Sequence, residues 1–403
     1  MGTTDGQHIG TLTMTRITDV RTTIYEWVGP VAPMPPHFCT SASDIVADVT
    51  GSISGFRFLG WLVVEITCDD GTVGIGNAAL APHATKATID TYLRPLLIGT
   101  DPMDSEYIWA SLYRRTLPFG RKGIGMTAIS AVDLAIWDAK GKILNQPVFK
   151  LLGGRTKTRI PVYASRLYSQ PLDTLYTEAK AYADQGYSAV KLRFGWGPKD
   201  GLAGMHRNLD LVRTTREAVG DSVDIMADAY MGWTLEYAKR MLRMLAPMNL
   251  RWVEEPVIAD DLNAYAELRA MNLTAISGGE HEYTLSGFRQ ALDLKAFDIA
   301  QFDVNRVGGI TAAQKITHLC EAYDVQVIPH AGQMHNYHIT MSSYAAPLAE
   351  YFPHVPVEVG NELFWYIFDG EPVAENGFIN LRDDLPGFGL TLKTPDANFK
   401  LTR

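Results

Sequence analysis

A series of ionisable residues ends successive runs of Val, Ile and Leu: Lys191 and Arg193, then Asp228, Glu254, Glu280, Asp303, His330 and Glu350. Charge at the end of an apolar run costs burial energy, so a whole series of such ends asks for a chemical purpose. Asp228, Glu254 and Glu280 follow one another at intervals of 26 residues, about one strand-plus-helix unit. Three carboxylates on neighbouring strand ends repel unless a cation sits among them. Oxygen-only donors on an open face suit Mg2+, with positions left for water and a ligand. The plainer reading makes each acid a helix N-cap, which explains one more easily than three at equal spacing. Asp303 beside His330 has the makings of a general base, because a carboxylate fixes the imidazole tautomer and raises its basicity. Taken alone, His330 after Val325-Gln326-Val327-Ile328-Pro329 reads as a buried core histidine. Ala189, Lys191 and Arg193 share one side of their strand. They either turn two cations towards an anionic ligand or snorkel at the surface. His281, His335 and His338 either touch a ligand or line loops.

These residues need a scaffold that brings strand ends together. From Arg159 onward, short β-branched runs near 160–164, 188–194, 223–227, 250–254, 274–279, 298–302 and 325–329 alternate with helical segments. In 234–246, Leu235, Ala238, Leu242 and Leu245 share a face. In 205–219, Met205, Leu209, Val212 and Val219 do, and Gly220 ends the helix. Seven or eight β-then-α units predict a parallel barrel, whose chemistry lies at the C-terminal ends of its strands. Ahead of it, strands at 16–27 and 61–68 are followed by a hairpin turn at Asp69-Asp70-Gly71 into 72–76, then helices near 84–98, 101–114 and 123–143. Gly74-Ile75-Gly76 lacks the third glycine of a dinucleotide fingerprint and reads as a turn. The Pro-, Ser- and Gly-rich stretch 28–60 is long enough to be a lid or binding loop; His37, Phe38, Arg57 and Phe58 are its candidate ligand contacts. The expected division is a disordered leader (1–13), an N-terminal capping domain (14–153), a barrel domain (154–356) and a C-terminal tail returning to the cap (357–403).

Composition narrows the class. The chain has 403 residues, 46% hydrophobic and 20% charged, with 36 Lys and Arg against 45 Asp and Glu. That is a globular composition. A net charge of −9 without a basic run argues against nucleic acid. No apolar run reaches membrane-span length. Cys39, Cys68 and Cys320 match no disulfide or metal spacing and suit a reducing cytoplasm.

The ordered set Lys191-Leu192-Arg193, Asp228, Glu254-Glu255-Pro256, Gly279-Glu280, Asp303, His330 and Glu350 resembles the enolase superfamily, in its mandelate racemase subgroup, over essentially the whole chain. Within that subgroup the chain is most similar to the L-rhamnonate dehydratases. That similarity is carried by Gly60-Trp61-Leu62-Val63-Val64-Glu65, Trp196-Gly197-Pro198-Lys199-Asp200-Gly201, Gly279-Glu280-His281 and Pro386-Gly387-Phe388-Gly389; the related lyxonate and galactonate dehydratases remain alternatives. The resemblance implies a modified (β/α)7β TIM-like barrel with an α+β cap. It also implies one Mg2+ per subunit on Asp228, Glu254 and Glu280, an Asp303–His330 base, Glu350 at the substrate carboxylate, and a homo-oligomer. Arg193 replaces the second lysine base of the subgroup's racemases, and arginine stays protonated. One base points to a sugar-acid dehydratase, in which His330 removes the C2 proton and the C3 hydroxyl leaves. Substrate contacts are expected from His37, Arg57, His281 and His335. The rival readings are an epimerase or cycloisomerase on the same scaffold, and a catalytically silent metal-binding barrel.

Overall fold

A computed structural model describes residues 14–35, 37–46 and 57–403. The expected leader, 1–13, and parts of the expected binding loop, 36 and 47–56, lie outside the described residues. Strands β1 (Ile17–Trp27), β2 (Gly60–Cys68) and β3 (Val73–Ala78) form an antiparallel meander. The C-terminal strand Phe399–Thr402 pairs with the free side of β1, Tyr25 opposite Leu401. The tail also pairs elsewhere, since Phe378–Ile379 lies antiparallel to the start of the first barrel strand.

The helix Ile124–Ile143 is buried along most of its length and packs on β3. The contact is backbone against backbone. A Cβ on Gly74 would come 2.0 Å from Ala135 O, and one on Gly76 2.1 Å from Ala131 O. The two glycines expected to form a turn therefore lie inside a strand, where their lack of a side chain lets the helix approach. The helix expected over 84–98 is interrupted by a wide turn at Ile89–Leu93, just before Pro95, which has no N–H to give.

The barrel strands are β4 (Ile160–Leu167), β5 (Ala189–Arg193), β6 (Asp224–Asp228), β7 (Trp252–Glu254), β8 (Ile276–Gly278), β9 (Ile299–Ala300), β10 (Gln326–Val327) and β11 (Ala349–Tyr351). All eight are parallel, in sheet order β10-β9-β8-β7-β6-β5-β4-β11. A helix follows each of the first seven, so the fold is the (β/α)7β TIM-like barrel, and Val327 N–H donating to Ala345 O at 2.9 Å bridges the seam. Inward positions alternate along the strands. Their lower layer, Tyr163, Ala189, Met226, Trp252, Ile299, Ile328 and Leu348, forms an apolar floor. The next inward positions up, Lys191, Asp228 and Glu254, are charged. Among the described residues, no helix is long and apolar enough to cross a membrane.

Tail and barrel also meet at Glu371, whose Oε2 accepts the Met334 N–H at 3.0 Å, at the start of the helix after β10. Burial pushes this carboxyl up to about 8. The folded state thus keeps a proton that the unfolded chain gives up near pH 4.5, and this contribution to stability falls as pH rises from there through 8. Glu371→Gln, which keeps the acceptor and cannot ionise, is expected to gain roughly 2–4 kcal/mol over the parent at pH 9 and almost nothing at pH 4.5. Urea unfolding at the two pH values measures it, and equal differences would contradict the assignment.

Candidate active site

The charged layer is built from strand register. Arg193 lies opposite Asp228, and Asp228 opposite Glu254, so three adjacent strands present their ends at one level. Glu280, Asp303 and His330 sit two or three residues beyond the last paired residues of β8, β9 and β10, and Glu350 lies within β11. An isolated parallel bridge joins Asp303 to His330. Beyond the strand ends the backbone turns left-handed at Tyr230, Met231, Glu255 and Ala331, with φ of 44°, 60°, 37° and 72°. Such conformations are costly for residues with a side chain and persist where surrounding structure enforces them.

The ammonium of Lys191 is wholly buried, 2.5 Å from Glu254 Oε1, 2.8 Å from Glu350 Oε1 and 3.8 Å from Asp228 Oδ2. Arg193 pairs with Asp228 Oδ2. Glu254 Oε2 accepts from Trp252 Nε1 and Gln301 Nε2, both at 3.0 Å. Across the mouth, His330 Nδ1 lies 2.9 Å from Asp303 Oδ2 and its Nε2 lies 3.2 Å from Glu280 Oε2. Arg306 bridges the same two acids, with Nε 3.0 Å from Asp303 Oδ2 and Nη1 3.1 Å from Glu280 Oε1. His281 Nδ1 lies 2.8 Å from Glu255 Oε2.

Burial and pairing pull these groups in opposite directions. Burial pushes Glu254 up to about 7 despite Lys191. For Glu350 burial acts upward too, yet Lys191 and His330 outweigh it and hold the acid down at about 2. Glu280 is held lower still, because His330, His281 and Arg306 outweigh its burial. Burial disfavours the His330 cation, but Glu280 and the Asp303 hydrogen bond raise its pKa above the ordinary value. Burial likewise opposes the Lys191 charge, and the surrounding carboxylates keep it protonated.

Six buried acids (Asp228, Glu254, Glu255, Glu280, Asp303 and Glu350) meet three permanent cations (Lys191, Arg193 and Arg306) and two imidazoles. With every acid ionised, the cluster is one positive charge short when both imidazoles are protonated and three short when both are neutral; the burial that raises Glu254 to about 7 is a sign of that deficit. An all-oxygen donor set with a charge deficit fits a hard dication. The expected ligands do not form one tight group, however. Asp228 and Glu254 share Lys191, while Glu280 faces His330 and Arg306. Among the described residues, the acids and imidazole with ligand atoms all within 4.8 Å of one another are Glu255, Glu280 and His281.

Two cavities lie here. One of about 30 Å3 touches Asp303, Arg306 and His330; the other, about 750 Å3, is lined by His37, Phe38, Arg57, Phe58, Lys199 and Tyr230 among others. His37 stacks on Trp196 at 5.4 Å, and Arg57 Nη2 donates to Ala32 O at 2.7 Å. His335 departs from its expected contact with a ligand. It is buried against Phe388 at 4.4 Å, lines neither cavity, and burial pushes its pKa down to about 3. His338 accepts the Phe149 N–H at 2.9 Å and serves packing. Arg306 and Gln301 stand outside the sequence motif, and Glu255 stands in it without a role of its own. The signal for Arg306 was its place three residues after Asp303, one helical turn away.

Two family profiles match parts of the chain: the enolase C-terminal domain-like family at residues 174–397, and the mandelate racemase / muconate lactonizing enzyme N-terminal domain at 52–153. L-Rhamnonate dehydratase of Saccharopolyspora erythraea is 36% identical over 341 residues, 84% of each chain. The crystal structure of L-rhamnonate dehydratase from Gibberella zeae matches with a TM-score of 0.84 at 31% identity, covering 95% of both chains. A structure of rhamnonate dehydratase from the same organism complexed with Mg matches at 0.79 and 28% identity, again over 95% of each chain. The chain belongs to the enolase superfamily, in its mandelate racemase / muconate lactonizing enzyme branch.

Removing Arg306 would leave two buried carboxylates short of a partner. Arg306→Met is expected to lower the unfolding free energy by about 3–5 kcal/mol. Arg306→Lys should recover less than half of that, since a point charge cannot replace a planar fork spanning two acids. Urea denaturation in EDTA reads the difference, and a near-neutral Arg306→Met would contradict the account of the cluster.

Proposed function

We propose that this member of the superfamily is an Mg2+-dependent sugar-acid dehydratase, converting an aldonate of the L-rhamnonate, L-lyxonate or galactonate kind to a 2-keto-3-deoxy acid. The observation that carries the reading is the asymmetry of the mouth. An imidazole paired with a carboxylate at 2.9 Å stands on one side, and on the other stand a buried lysine and an arginine that cannot serve as a second base. The relatives named dehydratases, and the magnesium in one of them, support it.

In this reading Asp228, Glu254 and Glu280 hold the metal, which when bound polarises the substrate carboxylate and lowers the acidity barrier at C2. Lys191 and Arg193 orient that carboxylate and stabilise the negative charge that builds on its oxygens. Glu350, tied to Lys191 and to the Ala331 N–H at 2.8 Å, keeps the ammonium aimed. Asp303 holds His330 in the Nδ1–H tautomer, leaving Nε2 to take the C2 proton. The same proton then leaves with the C3 hydroxyl as water, and the enol relaxes to the keto acid. Acid–base help of this kind contributes ~10²–10⁴-fold. The cavity lined by Met34, His37, Ser43 and Arg57 among others is the proposed pocket for the sugar chain, and His281 a further contact. The cap (14–153 with 357–403) would then set specificity and the barrel (154–356) chemistry. A cytoplasmic homo-oligomer is the proposed setting.

Purified protein with Mg2+ is expected to form keto acid from one or a few members of a panel of aldonic and aldaric acids. Activity should vanish in EDTA and fall by ~10²–10⁴-fold in His330→Asn. Keto acid formed equally well by His330→Asn would refute the assignment of the base, and a C2 epimer as sole product would replace dehydration with epimerisation.

A further inference from the structure

The loop that carries Asp303 and Arg306 is fastened to a different part of the molecule from the one that carries His330. Asp303 takes the Asn305 N–H on Oδ1 at 2.7 Å, and its carbonyl accepts from Arg306 and Val307 at 2.9 and 2.8 Å. The rest of the turn is held from the N-terminal part of the chain. Asn305 Nδ2 donates to Asn77 O at 2.9 Å, and Trp109 Nε1 donates to Gly308 O at 2.7 Å. The Gly308 N–H donates to Ser130 Oγ at 2.8 Å. Asp133 accepts twice from Thr311, from its N–H at 3.0 Å and its Oγ1–H at 2.6 Å, while Trp137 Nε1 donates to that Oγ1 at 2.8 Å. Ser130, Asp133 and Trp137 all belong to the buried helix Ile124–Ile143.

The fit is close. Gly309 has φ +72°, and a Cβ there would come 2.3 Å from Asp133 Oδ2. A carboxyl wholly buried and touching no substrate cavity is expensive to keep. Its hydrogen bonds here go to Thr311, in the first turn of the helix Gly309–Ala322, which follows the short helix Val304–Val307 capped by Asp303.

We infer that Asp133, acting through Thr311 and the Gly308–Gly309 turn, positions Asp303 and hence the tautomer and aim of His330, so that the helix Ile124–Ile143 is part of the base assembly and not only a backing for the β1–β3 meander. The inference rests on the proposed role of the Asp303–His330 pair. Asp133 and Thr311 are positioning residues; neither touches the reacting atoms.

Four variants test it: Thr311→Val, which removes the hydroxyl bond to Asp133; Asp133→Asn, which leaves one acceptor oxygen for two donors; Thr311→Ser, which keeps the hydroxyl; and Ile136→Val, which loosens the same helix elsewhere. The readouts are kcat and KM with Mg2+, the melting temperature, and the 15N-histidine spectrum of His330. Thr311→Val and Asp133→Asn are expected to lose kcat by about 10–100-fold, to keep KM within about twofold, and to move or broaden the His330 Nδ1–H signal. Thr311→Ser and Ile136→Val should keep parental kcat and spectrum even where the melting temperature drops. Lowered melting temperatures with unchanged kcat and an unchanged His330 signal would overturn the inference and leave Asp133 a packing residue. If Asp133→Asn does not fold, Thr311→Val decides. If the parent turns over no sugar acid, the proposed reaction fails, and the His330 spectrum alone still judges the positioning link.

Discussion

Lys191, sealed in the barrel with its ammonium 2.5 Å from Glu254 and 2.8 Å from Glu350, links β5 to β7 and to β11. Everything at the mouth follows from the need to balance charge where water is scarce. A buried ion is tolerated only with partners at close range and its remaining lone pairs satisfied. The cluster meets this by sharing: Glu254 takes an ammonium, an indole and an amide, while Glu280 takes an imidazole and a guanidinium. The surplus of acids over permanent cations suits this cluster to a divalent cation.

The geometry beneath is simple strand arithmetic. Alternation puts Met226 below Asp228 and Trp252 below Glu254, so one periodicity yields both the apolar floor and the charged layer. Left-handed turns directly after the strands then redirect the chain, bringing Glu255 in beside Glu254 and letting Glu350 hold the Ala331 N–H. These are strained positions, of the kind that cluster at ligand and catalytic sites.

Much of this was readable from residue types at a fixed interval. Strand ends repeat with the β/α unit, so Asp228, Glu254, Asp303 and His330 stood out, and Arg193 was legible because its chemistry forbids one role. The barrel followed from the alternation of short β-branched runs with amphipathic helices. What was hidden depended on long-range approach. Gly74 and Gly76 read as turn residues because nothing local shows Ala135 and Ala131, 61 and 55 residues further on, pressing on their backbone. The partner that gives Arg306 its place, Glu280, lies 26 residues earlier, beyond the end of another strand. His335 read as a ligand contact from its closeness in sequence to His330, yet a helix starts between them at Met334 and turns it towards Phe388. Spacing reports which element a residue sits on, and not which neighbour it meets when that neighbour comes from the far end of the chain.

Proton transfer is proposed on one face only, because among the described residues His330 is faced by a lysine held among carboxylates and an arginine. The configuration at C2 of sugar acid recovered from a partial reaction in D2O tests this most directly. The account predicts that recovered substrate keeps its original C2 configuration, whether or not deuterium has entered. Accumulation of the C2 epimer would require a second base and would contradict it.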